Sequence, residues 1–183
     1  MSRMHLLAAP VLAAGLAFVA APSASAATTT ATISKAEYDL IKIGTTTSKM
    51  HSIADSGACK LKSRDDSGGV SYRHYECKGN KAYSSASFDF VNGKLEIKSQ
   101  VFLDGLTSNG KMTKTKYSKI KVGSTISQMH EIAGKGTCVR VAQSHTRTDS
   151  MSIYDCEQAS TFGAASFFFE NGKVTMRNQA GLR

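Results

Sequence analysis

At 183 residues, with 41% hydrophobic, 20% charged and 8% aromatic positions, the chain has the makeup of an ordinary folded protein, which excludes a disordered tail. A formal net charge of +9, from 23 basic and 14 acidic residues, permits attraction to acidic proteins, wall polymers, nucleic acid or anionic lipid; it identifies none of them and serves equally well as a solubilising surface. With two prolines and no extended Gly/Ser or Pro run, there is no linker long enough to separate independent domains.

The first residues read as a secretory leader: Arg3 in a short basic start, an apolar run from Leu6 to Ala21, and the small-residue sequence Ala24-Ser25-Ala26. Cleavage after Ala26 would leave 157 residues with 22 basic against 14 acidic side chains, a net +8. The run is too short for a confident span, and no later segment nears the roughly 18 apolar residues a spanning helix needs. The expectation is a secreted, extracellular protein without a membrane span.

Beyond the leader, the sequence matches itself without a gap at an offset of 79 positions. Between Tyr38–Cys59 and Tyr117–Cys138, 12 of 22 residues are identical, including Gly44/Gly123, Thr46/Thr125, Met50-His51/Met129-His130 and Cys59/Cys138. Further on, Cys77 matches Cys156, Phe88 and Phe90 match Phe167 and Phe169, and Asn92-Gly93-Lys94 matches Asn171-Gly172-Lys173. The organisation expected is a leader over 1–26, a first repeat unit over 27–103, a connector over 104–112 and a second unit over 113–183.

Each unit opens with helical signals. Ser34-Lys35-Ala36-Glu37 is a capping box starting a short helix to about Leu40. Thr46 and Thr125, each two residues after a glycine, are N-caps for a second helix, and Thr125 to Gln128 forms another capping box. Met50, Ile53 and Ala54 share one helical face, as do Ile126, Met129, Ile132 and Ala133. His51 and His130 stand one step off that stripe, where a half-exposed packing role outweighs a catalytic one because no partner lies at helical spacing.

Extended segments follow. Val70, Tyr72, His74 and Glu76 alternate with Ser71, Arg73 and Tyr75. The clearest hairpin runs Ala86-x-Phe88-x-Phe90, turns at Asn92-Gly93, and returns through Leu95 and Ile97, since Asn-Gly accepts the positive φ of a type I′ turn. Its counterpart holds Phe167, Phe169, Asn171-Gly172, Val174 and Met176. With those side chains directed to the core, the other face carries Ser85, Ser87, Asp89, Lys94, Glu96 and Lys98, then Ser166, Phe168, Lys173, Thr175 and Arg177.

Four cysteines allow three pairings, and duplication favours the one that treats both halves alike, Cys59 with Cys77 and Cys138 with Cys156. Without a CxxC pair or an HxxxH pair, neither metal binding nor thiol redox chemistry is expected. No cofactor is implied. No Ser/His/Asp, paired-carboxylate or metal constellation clusters or recurs, so the chain does not read as an enzyme.

Isoleucine or valine, then Gly-x-Thr opening a short helix that ends in Ile-Ala, then two cysteines around a variable loop and an Asn-Gly hairpin, all occurring twice, resembles the β-lactamase inhibitory proteins of soil bacteria. The resemblance covers essentially the whole mature chain. It implies an α+β fold: two tandem units, each with two short helices on an antiparallel sheet, the sheets joined into one concave surface that clamps a loop and helix of a class A β-lactamase. In those inhibitors a loop after the second cysteine of the first unit inserts an aspartate into the enzyme. Here Cys77 to Tyr83 has no acid, and Lys81 stands in its place. The tryptophan positions of the second unit correspond to Val141 or its neighbour, Phe168 and Ala180; the second inserting loop, Glu157 to Ala165, keeps only Phe162 as an aromatic; and a contact lysine is replaced by Phe102.

The reading is therefore a secreted protein-binding module of this fold that lacks most inhibitory contacts and is a weak inhibitor or non-inhibitor. The expected contact residues are Tyr72, His74, Lys81, Tyr83, Phe162, Phe168 and Arg177, on the concave face or its loops. The partner would be an extracellular protein, such as a β-lactamase or a penicillin-binding protein, with no specific nucleic acid. Two alternatives stand beside it: a genuine inhibitor with a re-tuned interface, and a cationic wall-polymer or polyanion binder resting on Lys111, Lys114, Lys116, Lys119 and Lys121.

Overall fold

The computed structural model describes residues 31–159 and 162–183; the expected leader over 1–26 lies outside the described residues. In chain order the elements are α1 (Lys35–Leu40), α2 (Thr47–Ile53), β1 (Cys59–Ser67), β2 (Val70–Lys78), β3 (Ser85–Val91), β4 (Lys94–Val101), α3 (Lys114–Lys119), α4 (Ile126–Ala133), β5 (Cys138–His145), β6 (Ser150–Gln158), β7 (Gly163–Glu170) and β8 (Lys173–Ala180). The eight strands form one open antiparallel sheet in sequence order, so the class is α+β.

Helices of six to eight residues do not persist alone in water, and here caps and packing hold them. Ser34 accepts from the Glu37 amide while Glu37 accepts from the Ser34 amide, and Thr125 with Gln128 repeats the exchange. Tyr38, Met50 and Ile41 pack on Phe88, Phe90 and Leu95 in one cluster; Ile120, Met129 and Ala133 pack on Phe167, Phe169 and Val174 in a second. Both clusters occupy the same side of the sheet, and among the described residues no helix lies on its other face. His51 and His130 lie edge-on to Tyr75 and Tyr154, with ring centroids 5.2 and 5.5 Å apart, as packing residues. The disulfides Cys59–Cys77 and Cys138–Cys156 cross-link β1 to β2 and β5 to β6.

Two bulges alter the expected strand faces. In β4, Phe90 pairs with Leu95 but Asp89 pairs with Ile97, so Glu96 is an extra residue and the alternation reverses beyond it. Ile97 therefore lies on the open face rather than in the core, 40% exposed, while Lys98 turns to the helix side opposite Phe88. In β8, Thr175 is the extra residue, which moves Met176 to the open face opposite Phe168 and Arg177 to the helix side opposite Phe167.

Arg177 consequently does not sit on the open face where the alternation placed it. Its guanidinium donates to the carbonyls of Tyr117 and Ile120 and lies 4.7 Å from the Tyr117 ring centroid. Lys98 does the same for α1: it is 6% exposed, donates to the carbonyls of Tyr38 (3.0 Å) and Ile41 (2.8 Å), and stands 4.2 Å from the Tyr38 ring centroid. These carbonyls belong to the last turn and C-cap of a helix, where intrahelical donors run out; the Tyr117 carbonyl also accepts from the Ile120 amide at 3.2 Å, and a cation suits that end. Burial pushes the Lys98 ammonium down to about 8.

The halves of the sheet meet where β4 pairs with β5, Lys98–Val101 against Ala142–His145. Asp104 locks this seam from one end, taking a bidentate pair from Arg140 at 2.9 and 3.1 Å and a hydrogen bond from Gln100. At the other end Arg147 grips Glu96 through two contacts of 2.6 Å.

Candidate protein-binding face

The open face has two characters. Across β4 to β8, cross-strand pairing sets Val101, Ala142, Ile153, Phe168 and Met176 in one continuous row. Phe168 and Ile153 are half-buried among their neighbours, while Val101 and Met176 are 39% and 50% exposed. Met151 extends the patch on the same face of β6. Directly opposed apolar side chains support one another, and among the described residues no helix covers them.

Across β1 to β4 the row 79 positions earlier in β1–β4 reads Ser63, His74, Asp89 and Ile97. Oδ1 of Asp89 accepts from both Tyr72 Oη and His74 Nδ1, each at 2.6 Å. The other ring nitrogen of His74, Nε2, faces Glu76 at 3.7 Å. The hydrogen bond to Asp89 pushes the Tyr72 phenol up to about 12. Beside this cluster a groove of about 570 Å³ runs over His74, Glu76, Ser87, Ser99 and Val101, its floor tied by the Ser87–Ser99 hydroxyl contact at 2.7 Å.

Two loops leave the same end of the sheet. In the loop from β2 to β3, Tyr83 adopts φ 59° and is 86% exposed. Lys81 is exposed, but its ammonium folds back to donate to the Asp104 carbonyl at 3.0 Å. Phe162, just before β7, is fully exposed. Among the described residues no set of His, Cys, Asp and Glu side chains is arranged to hold a metal ion, and no helix is long and apolar enough to cross a membrane.

The family model for the β-lactamase inhibitor BLIP matches residues 34–156. The chain belongs to that family. A solved structure of a protein from Streptococcus mutans, described as a candidate β-lactamase inhibitor protein, shares 16% identity with the chain and covers 81% of it and 95% of its own length, with a TM-score of 0.55; at that identity the likeness is one of fold. No curated protein sequence matches the chain. Members of the BLIP family are inhibitor and binding proteins, not enzymes; the family implies protein partners such as β-lactamases, and with the two disulfides it fits an extracellular protein.

Against that family the positions expected from the sequence fall into three groups. Tyr72, His74 and Phe168 lie on the open face; Lys81, Tyr83 and Phe162 lie on the end loops; Arg177 caps α3 from the helix side. Ala180 shares the open face with Ala164, while Val141 is the bulge residue of β5, its carbonyl accepting from the Phe102 amide at 2.8 Å. Sequence reading missed Val101, Ile153 and Met176. Ile153 was accessible by adding 79 to His74, whereas Met176 required knowledge of the bulge.

Proposed function

We propose that this BLIP-family chain is a secreted protein-binding module, exported by its first 26 residues and built as a tandem pair of units over 27–103 and 113–183, and that it is a weak inhibitor or non-inhibitor of class A β-lactamases. The observation that carries the reading is the row of Val101, Ala142, Ile153, Phe168 and Met176, an apolar stripe that no described helix covers, on the sheet face opposite the two helix-packed clusters. The stripe is flanked by hydrogen-bonded polar groups, an apolar centre with a polar rim of the kind stable interfaces use.

The inhibitory half of the reading rests on Lys81. A cation at the tip position meets a pocket that attracts carboxylates with the wrong sign, a mismatch that costs several kcal/mol when desolvated. Folded back on Asp104, the ammonium also offers no carboxylate mimic. Penicillin-binding proteins, which by resemblance share the β-lactamase fold, are the first partners to screen. The experiment is biolayer interferometry of the mature protein against a panel of class A β-lactamases and penicillin-binding proteins, beside Phe168→Asp. Binding to a panel member that Phe168→Asp abolishes while Phe168→Leu retains it supports the face; equal binding by Phe168→Asp overturns it.

A further inference from the structure

The helix layer, on the far side of the sheet from the open face, differs in charge between its halves. Residues 31–58 hold three lysines (Lys35, Lys42, Lys49) and three acids (Glu37, Asp39, Asp55), a net of zero. Residues 110–137, the same stretch 79 positions on, hold six lysines (Lys111, Lys114, Lys116, Lys119, Lys121, Lys135) against Glu131 alone, a net of +5. Of the mature chain's excess charge of +8, +5 therefore lies in this one stretch, α3, α4 and the loops that flank them.

Matched positions show how this arises. Lys116 stands where α1 has Glu37, Ser118 where it has Asp39, and Lys119 where it has Leu40. In α1, Lys35 is neutralised by Asp39 one turn on; in α3, Lys114 has no such acid. Lys111, Lys114, Lys119, Lys121 and Lys135 are all exposed, and among the described residues none forms an ion pair. Lys116 draws the set together, its ammonium donating to the carbonyls of Lys111 (2.9 Å) and Ala133 (2.7 Å). Lys114 and Lys119 flank Thr115 and Ser118 on the outward side of α3, so small neutral side chains separate the charges.

We infer that this lysine surface binds a linear polyanion, by charge and not by sequence or shape. Within residues 110–137 every cationic side chain is a lysine, a point charge without the guanidinium fork that fixes planar or bidentate partners, so the ligand this stretch fits is flexible and densely anionic, such as a phosphate-bearing polymer. Because the surface lies behind the sheet, the polymer and a protein on the open face can be held together. This inference does not rest on that protein-binding reading.

The test is binding of inorganic polyphosphate to the mature protein, measured by fluorescence anisotropy from 50 to 300 mM salt. Four phosphate contacts would give a slope of log K on log salt of about −3. The variant Lys114→Gln/Lys119→Gln/Lys121→Gln is expected to bind at least tenfold more weakly at the lowest salt and to flatten the slope by about 2. The control Lys42→Gln/Lys49→Gln/Lys94→Gln removes the same charge from exposed sites in the first half and should bind like the unmodified protein. Equal losses in the two variants, or no binding by the unmodified protein at 50 mM salt, would overturn the assignment. Thermal melts of both variants establish that each is folded.

Discussion

Replacing Lys98 with methionine keeps the length and packing of the side chain while deleting its charge and its donors. Two buried carbonyls, those of Tyr38 and Ile41, would then lose their side-chain partner. An orphaned buried acceptor costs about 1–3 kcal/mol, and loss of the cation from the Tyr38 ring face adds about 1 kcal/mol. Against this, the variant no longer buries an ammonium, so the net destabilisation expected at pH 7 is about 2 kcal/mol. The pH dependence gives a second, independent signature. The folded-state value of about 8 lies below the ordinary 10.5, so between them the unfolded chain holds more protons and stability from this group rises with pH. The penalty is complete below about 8 and relieved above 10.5, and the whole rise is at most about 3 kcal/mol. Urea unfolding followed by circular dichroism at pH 7 and pH 9.5 measures both effects, with Lys94→Met as the exposed comparison at under about 0.5 kcal/mol. A Lys98→Met protein as stable as the unmodified one at pH 7, with an unchanged rise toward pH 9.5, would refute the cap.

Three further expectations follow from contacts elsewhere. Asp104→Ala frees Arg140 at the β4–β5 seam and should cost about 2 kcal/mol in chemical unfolding, whereas Glu96→Ala, at the exposed end of the same seam, should cost much less because water screens that pair. Removing either disulfide by a paired Cys→Ala substitution reopens a loop with 18-residue separation and should lower stability by roughly 3 kcal/mol; differential scanning calorimetry on the two variants checks that both bonds contribute alike. In spectrophotometric titration Asp89→Asn should bring one phenol down from about 12 toward its ordinary range, and Tyr72→Phe should delete the same late-titrating group.

The elements that local chemistry determines were legible in the residues. Ser34 with Glu37, Thr46, and Thr125 with Gln128 announce helix starts because a hydroxyl three residues ahead of a free amide has one obvious use. Asn92-Gly93 and Asn171-Gly172 announce turns because few residues accept positive φ. The two disulfides followed from matching the halves. What local chemistry does not determine was misread. Strict alternation carried Ile97 and Met176 into the core and Lys98 and Arg177 out of it, because a bulge is invisible to a period of two. The missed signal was the pair of cations 79 residues apart, each with a stem long enough to reach a helix end. Of the site, Tyr72 and His74 emerged from alternation in β2, whereas the apolar row depends on β4 pairing with β5 across the 104–112 connector, a contact no single strand encodes.

Inhibition of a class A β-lactamase by the purified mature protein, measured beside Lys81→Asp, decides whether the β2–β3 loop has lost its inhibitory role. The unmodified protein should show no inhibition up to tens of micromolar, with any gain confined to the aspartate variant. Nanomolar inhibition by the unmodified protein would contradict that expectation and show that an anchor other than the tip of the β2–β3 loop occupies the enzyme.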